Sequence, residues 1–201
     1  MIRDPYNIII TGVGGQGNVM AARIIGNMLA LRGFYVTIGE TFGASQRGGS
    51  VMSHLRVSEK SAWSPQIPKG RADLVVALEP IESLRVMAQY GNTETAVVSN
   101  TRPVYPVGVI CGDQKYPSMD ELNGSLKQLC SNINFIDATE EAIRLGNPIL
   151  SNVIMIGAVA GLGVLPVDDS DFEKVMSSNV PAGKLGINME GYKLGKKLAG
   201  G

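Results

Sequence analysis

The chain has 201 residues, of which 44% are hydrophobic and 18% are charged, so it is apolar enough to bury a core and is not a disordered chain. Its 18 Lys and Arg residues balance its 18 Asp and Glu residues. Proteins that bind nucleic acid usually carry a basic surplus, which this sequence lacks. The length predicts one domain over residues 1–201.

The hydropathy pattern indicates neither a secretory segment nor a membrane span. The first ten residues, MIRDPYNIII, contain no basic segment followed by a long apolar one, so they predict no signal peptide. The one long uncharged stretch, residues 147–167, has prolines near both of its ends and several glycines. That composition favours a buried helix over a membrane span. We therefore expect a cytoplasmic protein without a membrane partner.

Short β-branched apolar runs alternate with helical patterns along the chain. Strands are predicted at residues 7–11, 34–39, 50–57, 72–78, 95–100 and 133–136. Helices are predicted at residues 18–32, 80–91, 118–130, 140–145, 149–162, 170–177 and 185–198. Residues 101–117 contain three prolines and predict an extended excursion or a hairpin. The alternation predicts an α/β fold: a single doubly wound, mostly parallel sheet of the Rossmann-like kind, with additional C-terminal helices.

A glycine-rich turn follows the first predicted strand. Gly12, Gly14 and Gly17 have the G-x-G-x-x-G spacing, and the turn opens a predicted helix. Backbone N–H groups in residues 14–18 would point outward at the positive end of that helix, as in phosphate-binding turns. Glu40 follows Gly17 by 23 positions, where a dinucleotide-binding fold places its ribose-binding acid. NAD binding by an independent Rossmann protein is one hypothesis, and a tight turn that binds nothing or meets a partner chain is the other.

A second unusual stretch is the loop that runs from Ser45 to Ser50. It places Arg47 among small and polar residues. A guanidinium in such a loop can bind a phosphate or a carboxylate while the backbone approaches closely. The alternative is an ordinary surface arginine in a flexible loop.

The remaining chemistry-bearing residues indicate no catalytic group on this chain. His54 is the only histidine, and a strand position favours a structural role. Cys111 and Cys130 have no second ligand at metal-binding spacing, so no metal site and no iron–sulfur cluster is predicted. The glycine turn lacks a Walker lysine, and no G-x-S-x-G elbow is present.

Taken together, GVGGQGN at residues 12–18 and GETFGASQRGGSVMSH at residues 39–54 resemble the gamma-type domain of the 2-oxoacid:ferredoxin oxidoreductase family. The version of these motifs in this chain is most similar to the small (beta) subunits of the indolepyruvate branch. The segments ADLVVALEPIESLR and LSNVIMIGAVAGLGVLP also match, so the resemblance covers nearly the whole chain.

The resemblance implies a function and partners. The family reaction is oxidative decarboxylation of a 2-oxoacid to an acyl-coenzyme A. Thiamine diphosphate with Mg supplies the carbon chemistry, and iron–sulfur clusters of the 4Fe–4S type pass electrons to ferredoxin. The resemblance implies that these cofactors lie on a larger alpha subunit. It also implies that this chain is inactive alone and binds none of the cofactors by itself. Gamma subunits of pyruvate, 2-oxoglutarate or branched-chain oxidoreductases are the alternative within the family.

The gamma-type domain lies against the active site and is associated with coenzyme A access. The resemblance therefore places the glycine turn and the SQRGG loop at that site. The residues expected to face the active site and coenzyme A are Gly12, Gly14, Gly15, Gln16, Gly17, Asn18, Ser45, Gln46, Arg47, Gly48 and Gly49.

Overall fold

A computed structural model describes residues 3–43 and 49–200. Six strands form one sheet: β1 (Tyr6–Val13), β2 (Tyr35–Phe42), β3 (Ser50–Ser58), β4 (Leu74–Ala77), β5 (Ala96–Asn100) and β6 (Asn132–Ile136). Their order is β2-β3-β1-β4-β5-β6. The strand β3 pairs antiparallel with both β1 and β2, and the other neighbours pair parallel. Five strands thus run one way and one runs against them, which confirms the mostly parallel sheet.

The helices are α1 (Asn18–Leu31), α2 (Pro80–Tyr90), α3 (Val107–Ile110), α4 (Met119–Leu129), α5 (Ala138–Arg144), α6 (Ser151–Gly161), α7 (Asp169–Ser177) and α8 (Ala182–Gly200). A short 3-10 turn, Pro148–Leu150, precedes α6. Local sequence explains several helix starts, because α4 and α7 begin with capping boxes and α2 has Pro80 in its first turn. None of the helices in this part of the chain is long and apolar enough to cross a bilayer.

The sheet is covered on both faces, as expected of a doubly wound fold. Ile8 and Ile10 of β1 point into the larger core, which contains residues of α1, α6, α7 and α8. Ile9 points the other way, into a smaller core with residues of α2 and α4. Alternation along one strand thus fills two cores, which is why the central strands are apolar on both faces.

Two C-terminal helices pack with almost no side chain between them. A Cβ added to Gly195 of α8 would lie 1.8 Å from the carbonyl oxygen of Ile154 in α6. A Cβ added to Gly157 would lie 2.0 Å from the carbonyl oxygen of Tyr192. Within residues 147–167 the buried-helix interpretation is therefore confirmed for Ser151–Gly161, and the small residues serve this close contact.

The region after β5 follows the first of its two predicted alternatives, an excursion rather than a hairpin. Residues 101–117 form no hairpin but an irregular segment that contains the one-turn helix α3. The backbone N–H of Val104 and the hydroxyl of Tyr116 both donate to the carboxylate of Glu79, which holds the segment against the start of α2. The prolines exclude ladder hydrogen bonds, and a distant acid supplies the anchor instead.

Candidate functional site

The glycine turn lies where the winding of the sheet reverses. The strands β1 and β4 are neighbours, and the helices that follow them, α1 and α2, pack on opposite faces. In open α/β sheets this arrangement leaves a crevice at the carboxyl ends of the two strands, and ligands bind there. The turn between β1 and α1 borders that crevice, as does the residue pair Leu78 and Glu79 after β4.

Two glycines of the turn adopt backbone conformations that favour glycine. Gly15 has φ +104° and Gly17 has φ +87°. A Cβ on Gly17 would also lie 2.5 Å from Nδ2 of Asn152 in α6, so the Asn152 side chain would have to move. Asn152 is buried, and the sequence patterns did not single it out.

Gln16 is the hydrogen-bonding centre of the turn. Its Oε1 accepts from the backbone N–H of Val13 at 2.7 Å, and its Nε2 donates to the carbonyl of Leu78 at 2.9 Å. Asn18 donates from Nδ2 to the carbonyl of Val13 at 3.1 Å. These amides hold the turn in shape and attach it to β4, which explains a glutamine at a position where the dinucleotide pattern assigns no role.

A pocket of about 690 Å³ opens beside the turn and is lined by Gly14, Gly15, Gly17, Asn18, Val19, Gly43 and Val51. Gly49 reaches the same place, because its carbonyl accepts from the backbone N–H of Gly14 at 2.8 Å. The structure thus brings Gly43 and Gly49, which belong to the second motif at residues 39–54, to the first one. The N–H of Gln16 donates to the carbonyl of Val13 at 3.2 Å, so the donors of residues 14 and 16 do not point outward as expected. Ser45, Gln46, Arg47 and Gly48 lie outside the described residues.

Two buried acids stand behind the crevice, and the sequence patterns missed both. The carboxylate of Glu79 caps α2 by accepting from the N–H of Glu82 at 3.0 Å, in addition to its bonds from the segment after β5. Burial is the main cause that raises the pKa of Glu79 above its ordinary value. Glu82 accepts from the hydroxyl of Ser50 at 2.6 Å and from Arg85 at 2.8 Å. The only local signal was an acid directly before Pro80.

The order of the strands argues against NAD binding. In a dinucleotide-binding fold the ribose-binding acid lies at the end of the strand that is next to the first strand. Here β3 lies between β1 and β2, so Glu40 is two strands from the glycine turn, or about 10 Å at the usual strand spacing. Glu40 instead lies 3.7 Å from the guanidinium of Arg23. It therefore does not occupy the position of a ribose-binding acid.

His54 has the structural role that its strand position indicated. It is buried, its Nδ1 accepts from the backbone N–H of Ile67 at 3.3 Å, and its ring packs edge-on against Tyr90. Burial lowers its pKa. Cys111 is exposed and Cys130 is buried, and both are free thiols. Over residues 3–43 and 49–200, no group of three or more His, Cys, Asp or Glu side chains is arranged to hold a metal.

The fold and the glycine turn place the chain among the doubly wound α/β proteins, which are a broad class. Comparison with known proteins identifies its family. Residues 7–198 match the family described as pyruvate ferredoxin/flavodoxin oxidoreductase. The chain belongs to this family, which is one of oxidoreductases.

Among curated relatives, the chain is 35% identical over 195 residues to indolepyruvate oxidoreductase subunit IorB of Thermococcus kodakarensis, covering 96% of each chain. It is 37% identical over 196 residues to the subunit of the same name from Pyrococcus horikoshii, again covering 96% of each.

Solved structures share the fold. The pyruvate oxidoreductase subunit PORC of Thermotoga maritima aligns over 98% of this chain and 97% of its own, with a TM-score of 0.71 and 17% identity. The 2-oxoglutarate:ferredoxin oxidoreductase of Magnetococcus marinus aligns over 98% of this chain but 31% of its own, with a TM-score of 0.74 and 20% identity. In that enzyme this fold is one part of a longer chain.

Proposed function

We propose that this chain is the small subunit of a 2-oxoacid:ferredoxin oxidoreductase that acts on indolepyruvate or a related aryl pyruvate. The observation that carries the proposal is end-to-end similarity to indolepyruvate oxidoreductase subunits at 35% and 37% identity. A subunit of 2-oxoglutarate synthase from Methanocaldococcus jannaschii is only 26% identical over a similar length. The product is an acyl-coenzyme A, and the electrons go to ferredoxin.

The partner is a larger alpha subunit that holds thiamine diphosphate, Mg and the iron–sulfur clusters, in the cytoplasm. An exposed apolar segment supports such a partner. Val107 and Ile110 of α3 are 74% and 72% exposed, and Glu79 anchors their segment beside the crevice. Exposed apolar side chains held in an ordered segment are typical of a surface that another chain covers. The chain by itself, a single domain, is inactive.

The glycine turn contributes a binding surface to the shared active site. Backbone N–H groups at the start of α1 border the pocket, and the helix dipole favours a negative group there. Gln16 fixes the turn, so these donors are positioned before a ligand arrives. We assign to this surface the recognition of an anionic part of coenzyme A. Gly43 and Gly49, which border the pocket, belong to the same motif as Arg47, and we assign to Arg47 a contact with the same anion.

The test is reconstitution of the two-subunit complex. Each subunit alone and the two together are assayed for coenzyme A-dependent reduction of ferredoxin by indolepyruvate. We expect turnover only from the complex. Turnover by this chain alone would refute the assignment of the cofactors to a partner. A higher kcat/KM for pyruvate or 2-oxoglutarate than for indolepyruvate would favour the other branches of the family.

Hydrogen exchange tests the coenzyme A surface separately. Addition of coenzyme A to the complex should slow exchange in residues 12–18, while peptides from α5 serve as the control. If coenzyme A left the exchange rates of residues 12–18 unchanged, as it should those of α5, the role of the turn would be contradicted. The assignment of the chain as a subunit would not be affected.

A further inference from the structure

A second pocket lies at the amino-terminal ends of β1 and β4, on the side of the sheet opposite the glycine turn. The proposed reaction does not use it. It has a volume of about 390 Å³ and is lined by Arg3, Asp4, Asn7, Arg56, Arg71 and Asp73, together with two prolines. These residues come from the start of β1, the end of β3 and the approach to β4. Three guanidinium groups line it, and that of Arg3 is already paired with Asp73 and Glu94, which leaves Arg56 and Arg71.

Arg56 is the central group, because its charge is buried without a counter-ion. The residue is 8% exposed. Its Nε donates to Oδ1 of Asn7 at 3.1 Å, and its Nη1 donates to the carbonyls of Ser64 and Gln66 at 3.2 and 3.4 Å. Its guanidinium also lies 4.9 Å from the ring centre of Trp63. All of these partners are neutral, and in the described part of the chain Nη2 donates to none.

The acids that line the pocket are already paired. The carboxylate of Asp73 accepts from Arg3 at 3.3 Å and from the backbone N–H of Asn7 at 2.8 Å. Asp4 lies 4.0 Å from the ammonium of Lys60. Among residues 3–43 and 49–200, no carboxylate oxygen lies within 4.0 Å of Arg56 or Arg71. The remaining positions of the chain contain no Asp or Glu.

We infer that this pocket binds a small oxyanion with two negative charges, of the phosphate or short dicarboxylate class. A buried cation without a counter-ion is costly, and an anion in the pocket removes that cost. The unused Nη2 of Arg56 and the exposed side chain of Arg71 offer fork-shaped donors, which match the oxygens of phosphate and carboxylate. The site is separate from the glycine turn and does not depend on the proposed function.

Trp63 provides a direct measurement, because it is the only tryptophan of the chain and stacks on Arg56. The full-length chain is titrated with inorganic phosphate and with malonate, against chloride at equal ionic strength. We expect saturable changes in fluorescence with phosphate or malonate and none with chloride. The stronger of the two ligands identifies the class. A linear response to all three salts would overturn the site.

Arg71→Ala is the decisive variant, since Arg71 is exposed and its loss should leave folding intact. We expect its affinity for the anion to fall at least tenfold. Arg144→Ala is the matched control, because Arg144 is an exposed arginine of α5 outside the pocket and should bind as the parent chain does. Equal affinity of the two variants would overturn the proposal.

Arg56→Lys separates binding from folding. The lysine keeps the charge but loses the fork. We expect a circular dichroism spectrum like that of the parent chain, with anion affinity reduced. If Arg56→Lys does not fold, the comparison of Arg71→Ala with Arg144→Ala still decides the matter. A folded Arg56→Lys chain with unchanged affinity would contradict the assignment of Arg56.

Discussion

Gln16 and Leu78 are joined across the crevice by a hydrogen bond of 2.9 Å from the side-chain Nε2 to the backbone carbonyl. The same carbonyl accepts from Nδ2 of Asn100 at 3.1 Å. One carbonyl at the end of β4 therefore connects the glycine turn after β1 with the end of β5. The turn is fixed by a side chain from its own sequence and by a backbone atom 62 positions away.

Replacing Gln16 should loosen the turn. Gln16→Ala leaves the N–H of the buried Val13 without its partner and removes one donor from Leu78. We expect the free energy of unfolding to fall by about 1–3 kcal/mol, the usual cost of an unsatisfied buried group. We also expect a higher KM for coenzyme A in the complex. Urea denaturation and steady-state kinetics measure the two effects.

Gln128→Ala is the control for that experiment, because Gln128 is exposed on α4. Its unfolding free energy should change by no more than about 0.5 kcal/mol. If the two variants were equally stable, the hydrogen bonds of Gln16 would contribute nothing measurable to the fold.

The buried carboxyl of Glu79 should make stability depend on pH. Its pKa in the folded protein is raised above the ordinary value of 4.5, chiefly by burial, so the folded state holds the proton more tightly than the unfolded state does. The free energy of unfolding should therefore fall as the pH rises from 4.5 through the raised pKa. Urea denaturation of the parent chain and of Glu79→Gln across that range measures the contribution. If the difference in unfolding free energy between the two proteins did not change with pH, the predicted contribution of Glu79 would be contradicted.

The contact between α6 and α8 should not tolerate a methyl group. Gly195→Ala places a Cβ against the carbonyl of Ile154, and two helix backbones must separate to admit it. We expect a loss of about 3 kcal/mol in the free energy of unfolding. Gly186→Ala on the same helix meets no atom within 4 Å and should instead stabilise the chain by about 0.5–1 kcal/mol. Thermal unfolding of both variants checks the opposite signs, and a loss in both would point to α8 itself rather than to the contact.

Arg47 lies outside the described residues, and its role stays a prediction. Arg47→Ala should leave folding and assembly intact while kcat/KM of the reconstituted complex falls by about one to three factors of ten. Arg47→Lys should recover part of the loss, because the ammonium keeps the charge without the bidentate geometry. Normal assembly with unchanged kinetics for indolepyruvate and coenzyme A would show that the loop is structural.

Local sequence determined most elements of this fold. The run Asn7–Thr11 predicted β1 because β-branched side chains suit a strand that is buried on both faces. The spacing of Ser118 and Glu121 predicted the start of α4, because both partners of a capping box lie within one turn. The motifs at residues 12–18 and 39–54 also indicated the family, and the match over residues 7–198 confirms it.

Only the tertiary structure decided which strands are neighbours. Alternation in β3 was visible in the sequence, but its place between β1 and β2 depends on pairing across more than 40 positions, as from Ile8 to Leu55. That insertion moved Glu40 away from the glycine turn. The partners of Gln16, Glu79 and Arg56 are likewise set by distant backbone atoms and side chains. The hydrophobic periodicity of the sequence does not indicate such contacts, because they form only when the folded sheet brings distant residues together.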